Sequence, residues 1–211
     1  MSNIELYGSP GSCSKVAMIL LEQAGADYTL HTVHLGSGAH KTKEYKSLNP
    51  KGKVPALVVD GITLTENPVI ISYIVSQFPK ANLMPAVKTE LEKLQQWSDL
   101  CFCSSNLHPV VTRIAKPEFF ADQACLDSVK QKGIEAMDAG FSLIEDRLGE
   151  NDWWYGNTWS AMDVYIYWVY TRVQRCDFDF SRYPQYVNLA QRMEEIPAVQ
   201  RAIVKEESML G

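Results

Sequence analysis

Apolar and polar positions alternate at the start of the chain, with Ile4, Leu6 and Tyr7 set around Glu5 in the period-two pattern of a half-buried strand. Gly8-Ser9-Pro10-Gly11-Ser12 breaks this pattern with turn residues. The spacing then becomes helical: Val16, Ile19, Leu20 and Ala24 form one stripe to bury, and Gly25 ends the run. Residues 28–33 read as a second strand. Strand, helix and strand in about thirty residues normally form a right-handed parallel crossover. After a polar loop over residues 36–46, the runs Val54-Pro55-Ala56-Leu57-Val58-Val59 and Ile62-Thr63-Leu64-Thr65 flank Asp60-Gly61, a strong hairpin signal. A helix is expected over residues 67–77, giving βαβ–ββα and a four-stranded α/β sheet.

Residues 78–85 then hold two prolines with little periodicity, as a linker does. Beyond them the period is helical, with helices expected near 88–114, 122–148, 160–175, 184–195 and 198–208 and no convincing strand. The predicted organisation is an α/β domain over residues 1–80, a linker over 81–87 and an all-α domain over 88–211. Ser160-Ala161-Met162-Asp163 reads as a capping box with Asp in place of Glu, opening the apolar helix that carries Val164 to Trp168. Such a cap is first of all structural, and carries about 1 kcal/mol.

The 211 residues are 46% hydrophobic and 21% charged, which excludes wholesale disorder and a fibrous fold. A net charge of −5 argues against a broad nucleic-acid surface or a polybasic membrane patch, leaving room for a small local anion site. The first residues carry no secretory pattern. The most apolar stretch, residues 164–170, is about a third of the roughly 20 residues that a membrane-spanning helix needs. Five cysteines without a CxxC pair point away from zinc or a dithiol centre and towards reduced thiols in a cytoplasm.

Four blocks share a pattern with known proteins. Ser9-Pro10-Gly11-Ser12-Cys13-Ser14, Asn49-Pro50-Lys51-Gly52-Lys53-Val54-Pro55-Ala56-Leu57, Thr65-Glu66-Asn67-Pro68-Val69-Ile70 and the box at Ser160 to Asp163 resemble cytosolic glutathione transferases, in the family's order and across both halves. The first block is most similar to the bacterial beta class, in which the cysteine of this run faces glutathione. The resemblance implies a thioredoxin-like N-terminal domain that binds glutathione and a helical C-terminal domain that supplies the second substrate's pocket. It also implies a cytoplasmic homodimer that conjugates or reduces small hydrophobic electrophiles in detoxification, with thiol-exchange or peroxidase side activity and no metal. Two other functions stay open: a non-catalytic ligand-binding or interaction protein on the same fold, and a dedicated glutathione-dependent dehalogenase or isomerase.

A transferase must favour the glutathione thiolate near neutral pH, although a free thiol has a pKa near 8.5. Ser12, Cys13 and Ser14 stand at the mouth of the first helix, where free N–H groups and the dipole favour an anion. Cys13 is the leading catalytic candidate because its thiolate can form a mixed disulfide with glutathione. Ser12 and Tyr7 are alternatives for activating the sulfur, and Cys13 can also be read as a small buried cysteine with no role. By the resemblance, Val54-Pro55 is a cis bond that frees Val54's backbone for the ligand peptide, and Glu66 with Asn67 holds the γ-glutamyl end. His40 and Lys41 resemble the segment with which phi- and theta-like enzymes bind the glycyl carboxylate, and Lys53 can serve the same group. In the beta-class pattern His108 faces the cysteine, whereas Cys101 stands where an Asn is common. Val111, Thr112, Ala115 and Trp168 are expected to line the electrophile pocket.

Overall fold

A computed structural model describes residues 2–210. In chain order its elements are β1 (Ile4–Gly8), α1 (Ser14–Ala24), β2 (Thr29–Thr32), α2 (Lys43–Leu48), β3 (Ala56–Val59), β4 (Ile62–Thr65), α3 (Asn67–Gln77), α4 (Glu90–Cys101), α5 (His108–Ala115), α6 (Leu126–Glu150), α7 (Ala161–Gln174), α8 (Pro184–Glu194) and α9 (Pro197–Ser208). The chain forms two compact units, Met1–Met84 with Glu195–Gly211, and Pro85–Glu194.

In the first unit the sheet order is β2-β1-β3-β4. β1 and β2 run parallel and the other pairs antiparallel, which is the βαβ–ββα topology of a thioredoxin-like domain. The β3–β4 turn puts both Asp60 (φ 48°) and Gly61 (φ 83°) in the left-handed region, as the tight twist-matched hairpin requires. The alternation of β1 is observed, with Ile4, Leu6 and Gly8 buried and Glu5 and Tyr7 on the other face.

The single stripe expected on α1 is a correction, because every residue from Ser14 to Glu22 is buried. The reason lies far along the chain: α9 packs against α1 through the small buried residues Ala198, Val199 and Ala202. Two charged residues of α1 are thereby buried, and α9 supplies their partners. Lys15 Nζ meets Glu206 at 2.6 Å, while Glu22 meets Lys205 at 2.5 Å and Arg201 at 3.1 Å and accepts a hydrogen bond from Tyr28 at 2.8 Å. A second departure is α2, a helix inside the stretch read as polar loop; Thr42 caps it by accepting from the Tyr45 amide at 3.2 Å, and Tyr45 alone is buried.

Burial works against ionised Glu22, but the hydrogen bonds from Lys205, Tyr28 and Arg201 outweigh it and hold its pKa below the ordinary carboxylate value. With the folded pKa depressed, the stabilisation is complete above the unfolded value of about 4.3 and is lost as pH falls through the folded one. By urea denaturation the protein is expected to exceed Glu22→Gln by about 2 kcal/mol at neutral pH. The gap should narrow as pH falls below the unfolded value of about 4.3. A gap that is unchanged over that fall rejects the ion cluster as its cause.

In the second unit α7 is the central element, buried without interruption from Ala161 to Tyr170. Its start is tied by the expected box: Ser160 Oγ accepts from the Met162 amide at 3.2 Å, and Asp163 Oδ2 accepts from the Ser160 amide and hydroxyl, both at 2.8 Å. Asp163 Oδ1 also accepts from the Trp154 amide at 2.8 Å, so one buried carboxylate fixes both the helix start and the preceding loop. The helix expected over 88–114 is not uniform, since residues Phe102–Leu107 between α4 and α5 form a π-helical turn. Pro109 has no N–H to continue the α ladder, and the Ser104 and Ser105 hydroxyls donate to the Cys101 carbonyl at 3.3 and 2.6 Å.

Candidate active site

Three segments distant in sequence meet around Cys13 in the first unit. Cys13 is the N-cap of α1 and 6% exposed, and its Sγ donates to the Val54 carbonyl at 3.5 Å. The Val54–Pro55 bond is cis, in agreement with the sequence expectation. From the start of α3 the buried Asn67 donates through Nδ2 to the Cys13 carbonyl at 3.1 Å. Burial pushes the Cys13 thiol up to about 12. The free N–H at its helix end, Asn67 and Lys53 act in the other direction, and Glu66 adds to the rise. Cys13 is therefore a protonated donor at neutral pH.

The turn before Cys13 is held by its own serines. Ser12 Oγ donates to the Ser9 carbonyl at 2.7 Å and lies 2.6 Å from Ser14 Oγ, which also accepts from the Ser9 amide at 3.1 Å. The one proton of Ser12 is thus used inside the turn. From α9, Glu206 accepts from the Gly11 amide at 2.9 Å while pairing with Lys15, so the terminal helix fastens the same turn. The Tyr7 side chain is engaged elsewhere: its ring stacks on His31 at 4.3 Å and lies 6.3 Å from that of Tyr45, and its hydroxyl donates to Glu5 at 3.3 Å.

The stretch leading into Val54 is fixed at the Lys53 carbonyl, which accepts from Tyr45 Oη and Asn49 Nδ2, each at 2.7 Å. Asn49 lies in the motif quoted above, but its role in holding the backbone could not be read from spacing. Gly52 has φ 58°, and a Cβ there would stand 3.0 Å from the His40 carbonyl, so glycine lets the His40 turn approach this loop. Burial, then Lys41, Lys53 and Lys46, keep the His40 pKa below its ordinary value, and its Nδ1 is buried without a partner among the described residues. The result is a neutral imidazole in a basic cluster suited to a carboxylate. Glu66 is exposed at the other edge and pairs with Lys51 at 2.7 Å, a partner that sequence reasoning missed.

In the second unit His108 follows the π turn; its Nδ1 lies 3.3 Å from Tyr165 Oη and its ring meets Trp168 edge-on at 4.6 Å. His108, Thr112 and Ala115 share one face of α5 and are half-buried, whereas Val111 is 4% exposed and belongs to the core. Trp168 is 3% exposed, and its indole N–H has no partner among the described residues. No group of three or more His, Cys, Asp or Glu among the described residues is placed to hold a metal ion.

Residues 2–76 match the family model for the glutathione S-transferase N-terminal domain, and residues 118–201 that for the C-terminal domain. Glutathione S-transferase GstA of Escherichia coli O157:H7 is 27% identical over 206 residues, covering 96% of this chain and 98% of the relative. A sphingomonad glutathione S-transferase solved in complex with glutathione is 32% identical, with a TM-score of 0.84 and coverage of 96% of this chain and 98% of that one. A bacterial beta-class glutathione S-transferase of Sphingomonas chungbukensis is 30% identical, with a TM-score of 0.83 and coverage of 96% and 98%.

Proposed function

The chain belongs to the glutathione S-transferase family, and from that premise we propose that it acts on the glutathione sulfur at Cys13. The observation that carries this reading is the convergence of Val54 and Asn67 on Cys13 at the head of α1. When glutathione binds, the Cys13 thiol proton turns from the Val54 carbonyl to the glutathione thiolate and so favours its ionised form. The thiolate then attacks a small hydrophobic electrophile: an S–C bond forms, the leaving group departs with its electron pair, and the thiol proton goes to solvent. In the slower exchange reaction, the Cys13 thiolate attacks glutathione disulfide, one S–S bond replaces another, and one glutathione thiolate leaves.

Around that centre, Val54 with Pro55 pairs with the cysteinyl backbone, His40, Lys41 and Lys53 receive the glycyl carboxylate, and Glu66 meets the γ-glutamyl ammonium while Asn67 holds Cys13. In the second unit, His108, Thr112 and Ala115 are the half-buried candidates to serve the electrophile, backed by the nearly fully buried Trp168 and Val111. A homodimer is supported by α4, which exposes Leu91, Leu94 and Trp97 and buries Leu100 alone. Five unpaired cysteines favour a cytoplasmic setting, where a detoxifying role fits. No helix among the described residues is long and apolar enough to cross a membrane.

Peptide-resolved mass spectrometry after incubation with glutathione disulfide, beside a halonitroarene conjugation assay, tests the reading. Conjugation is expected at neutral pH, with an adduct at Cys13 that forms about tenfold faster per pH unit above 7, since the thiolate fraction grows that way below a pKa of about 12. Glutathione binding with neither adduct nor turnover would make the chain a binding protein. An adduct rate independent of pH would reject the protonated thiol.

A further inference from the structure

Asn67 is 4% exposed, and both ends of its amide need an account. Nδ2 donates to the Cys13 carbonyl at 3.1 Å, and Oδ1 is buried with no partner among the described residues. A buried acceptor without a donor is unfavourable by about 1–3 kcal/mol. A flip of the amide would relieve nothing, because it would set Oδ1 against the Cys13 carbonyl oxygen. The orientation is thus fixed by what the NH2 group does, and an NH2 group carries two hydrogens. One goes to the Cys13 carbonyl.

From this geometry we infer that Asn67 is a positioning residue for the Cys13 sulfur: it anchors the cysteine's backbone with one N–H and holds the other for the thiolate when it forms. The inference rests on the reading of Cys13 as the reactive thiol. Among the groups that act on this thiol, the Asn67 amide is a hydrogen-bond donor that favours the ionised form. The charged neighbours are Lys53, which precedes β3 and also favours the thiolate, and Glu66 beside Asn67, which opposes it. On α1 itself Lys15 is neutralised by Glu206 of α9, so its charge does not replace the amide. A hydroxyl at position 67 could supply one hydrogen to either group, whereas the carboxamide can serve both at once. The unpaired Oδ1 is the accompanying cost.

The test is the rate of alkylation of Cys13 by iodoacetamide as a function of pH, read on the Cys13 peptide by mass spectrometry. This small neutral probe needs no glutathione site, and its reaction replaces the C–I bond by an S–C bond with loss of iodide, so its rate follows the thiolate. Asn67→Leu is expected to slow alkylation about tenfold at a given pH and to displace the profile upward by about one unit. Asn67→Ser should recover part of the loss. Asn67→Asp, of the same size, removes both donors and adds a like charge, and is expected to be slower than Asn67→Leu; it serves equally if the leucine variant does not fold. Profiles of Asn67→Leu and Asn67→Asp that coincide with the parent's would overturn the inference while leaving Cys13 as the reactive thiol. A parent Cys13 that does not react at any pH would overturn both.

Discussion

Cys13→Ala abolishes the glutathione adduct and lowers halonitroarene conjugation by about ten- to a hundredfold. The range follows from the value of a hydrogen bond to a charged group, about 1.5–3 kcal/mol, when its donor is removed from a buried site. The loss should fall on the rate and on the ionisation of bound glutathione, read as the thiolate absorbance, more than on the affinity for glutathione, which the proposed reading assigns to Val54, the basic cluster and Glu66. Cys13→Ser separates the two roles: a hydroxyl keeps a donor beside the Val54 carbonyl, so conjugation largely survives while the adduct does not form. Ser12→Ala is the control within the same turn. Its hydroxyl donates to the Ser9 carbonyl, so its removal should loosen the turn with a smaller effect on rate. Full conjugation by Cys13→Ala together with its loss in Ser12→Ala would move the sulfur-activating role to the serine.

Asp163→Ala should be strongly destabilising to the helical unit, by about 3–7 kcal/mol in urea denaturation. The carboxylate accepts from the Trp154 amide, the Ser160 amide and the Ser160 hydroxyl, all at 2.8 Å and all buried. Each main-chain donor left without a partner is unfavourable by about 1–3 kcal/mol, and the lost cap adds about 1 kcal/mol. Against a total stability of about 5–15 kcal/mol the sum is a large fraction. Asp163→Asn keeps one acceptor and should recover about half of the loss. A decrease below about 1 kcal/mol for the alanine variant would mean that water reaches these amides and replaces the carboxylate.

Elements set by local chemistry were readable from the sequence. The Asp60-Gly61 hairpin, the crossover from β1 to β2 and the Ser160 box each depend on a few neighbouring residues whose conformational preferences agree. Features set by distant partners were not. The burial of Lys15 and Glu22 needs α9, roughly 180 residues away, and no periodicity within α1 announces it. Helix α2 has one buried residue, Tyr45, so its hydrophobic signal is too short to register. The π turn arises from Pro109 and from serine hydroxyls that compete for one carbonyl. At the site, resemblance pointed to Cys13, Val54 and Asn67 as members. What each does there was not legible, because the donor–acceptor directions are fixed by the cis bond and by the register between segments.

The contact from the Gly11 amide to Glu206 joins residues 195 positions apart. Closing a loop of that span is slow and comes late in folding. On a ribosome, the sheet and α1 would emerge first, with Lys15 and Glu22 as buried-to-be charges that have no counterions and a Cys13 turn with one amide unanswered. The turn is thus completed only when α9 has docked. A nascent or truncated chain that lacks α9 would hold the Cys13 turn through its own serines, Val54 and Asn67 alone, with the Gly11 amide and the charges of Lys15 and Glu22 unanswered.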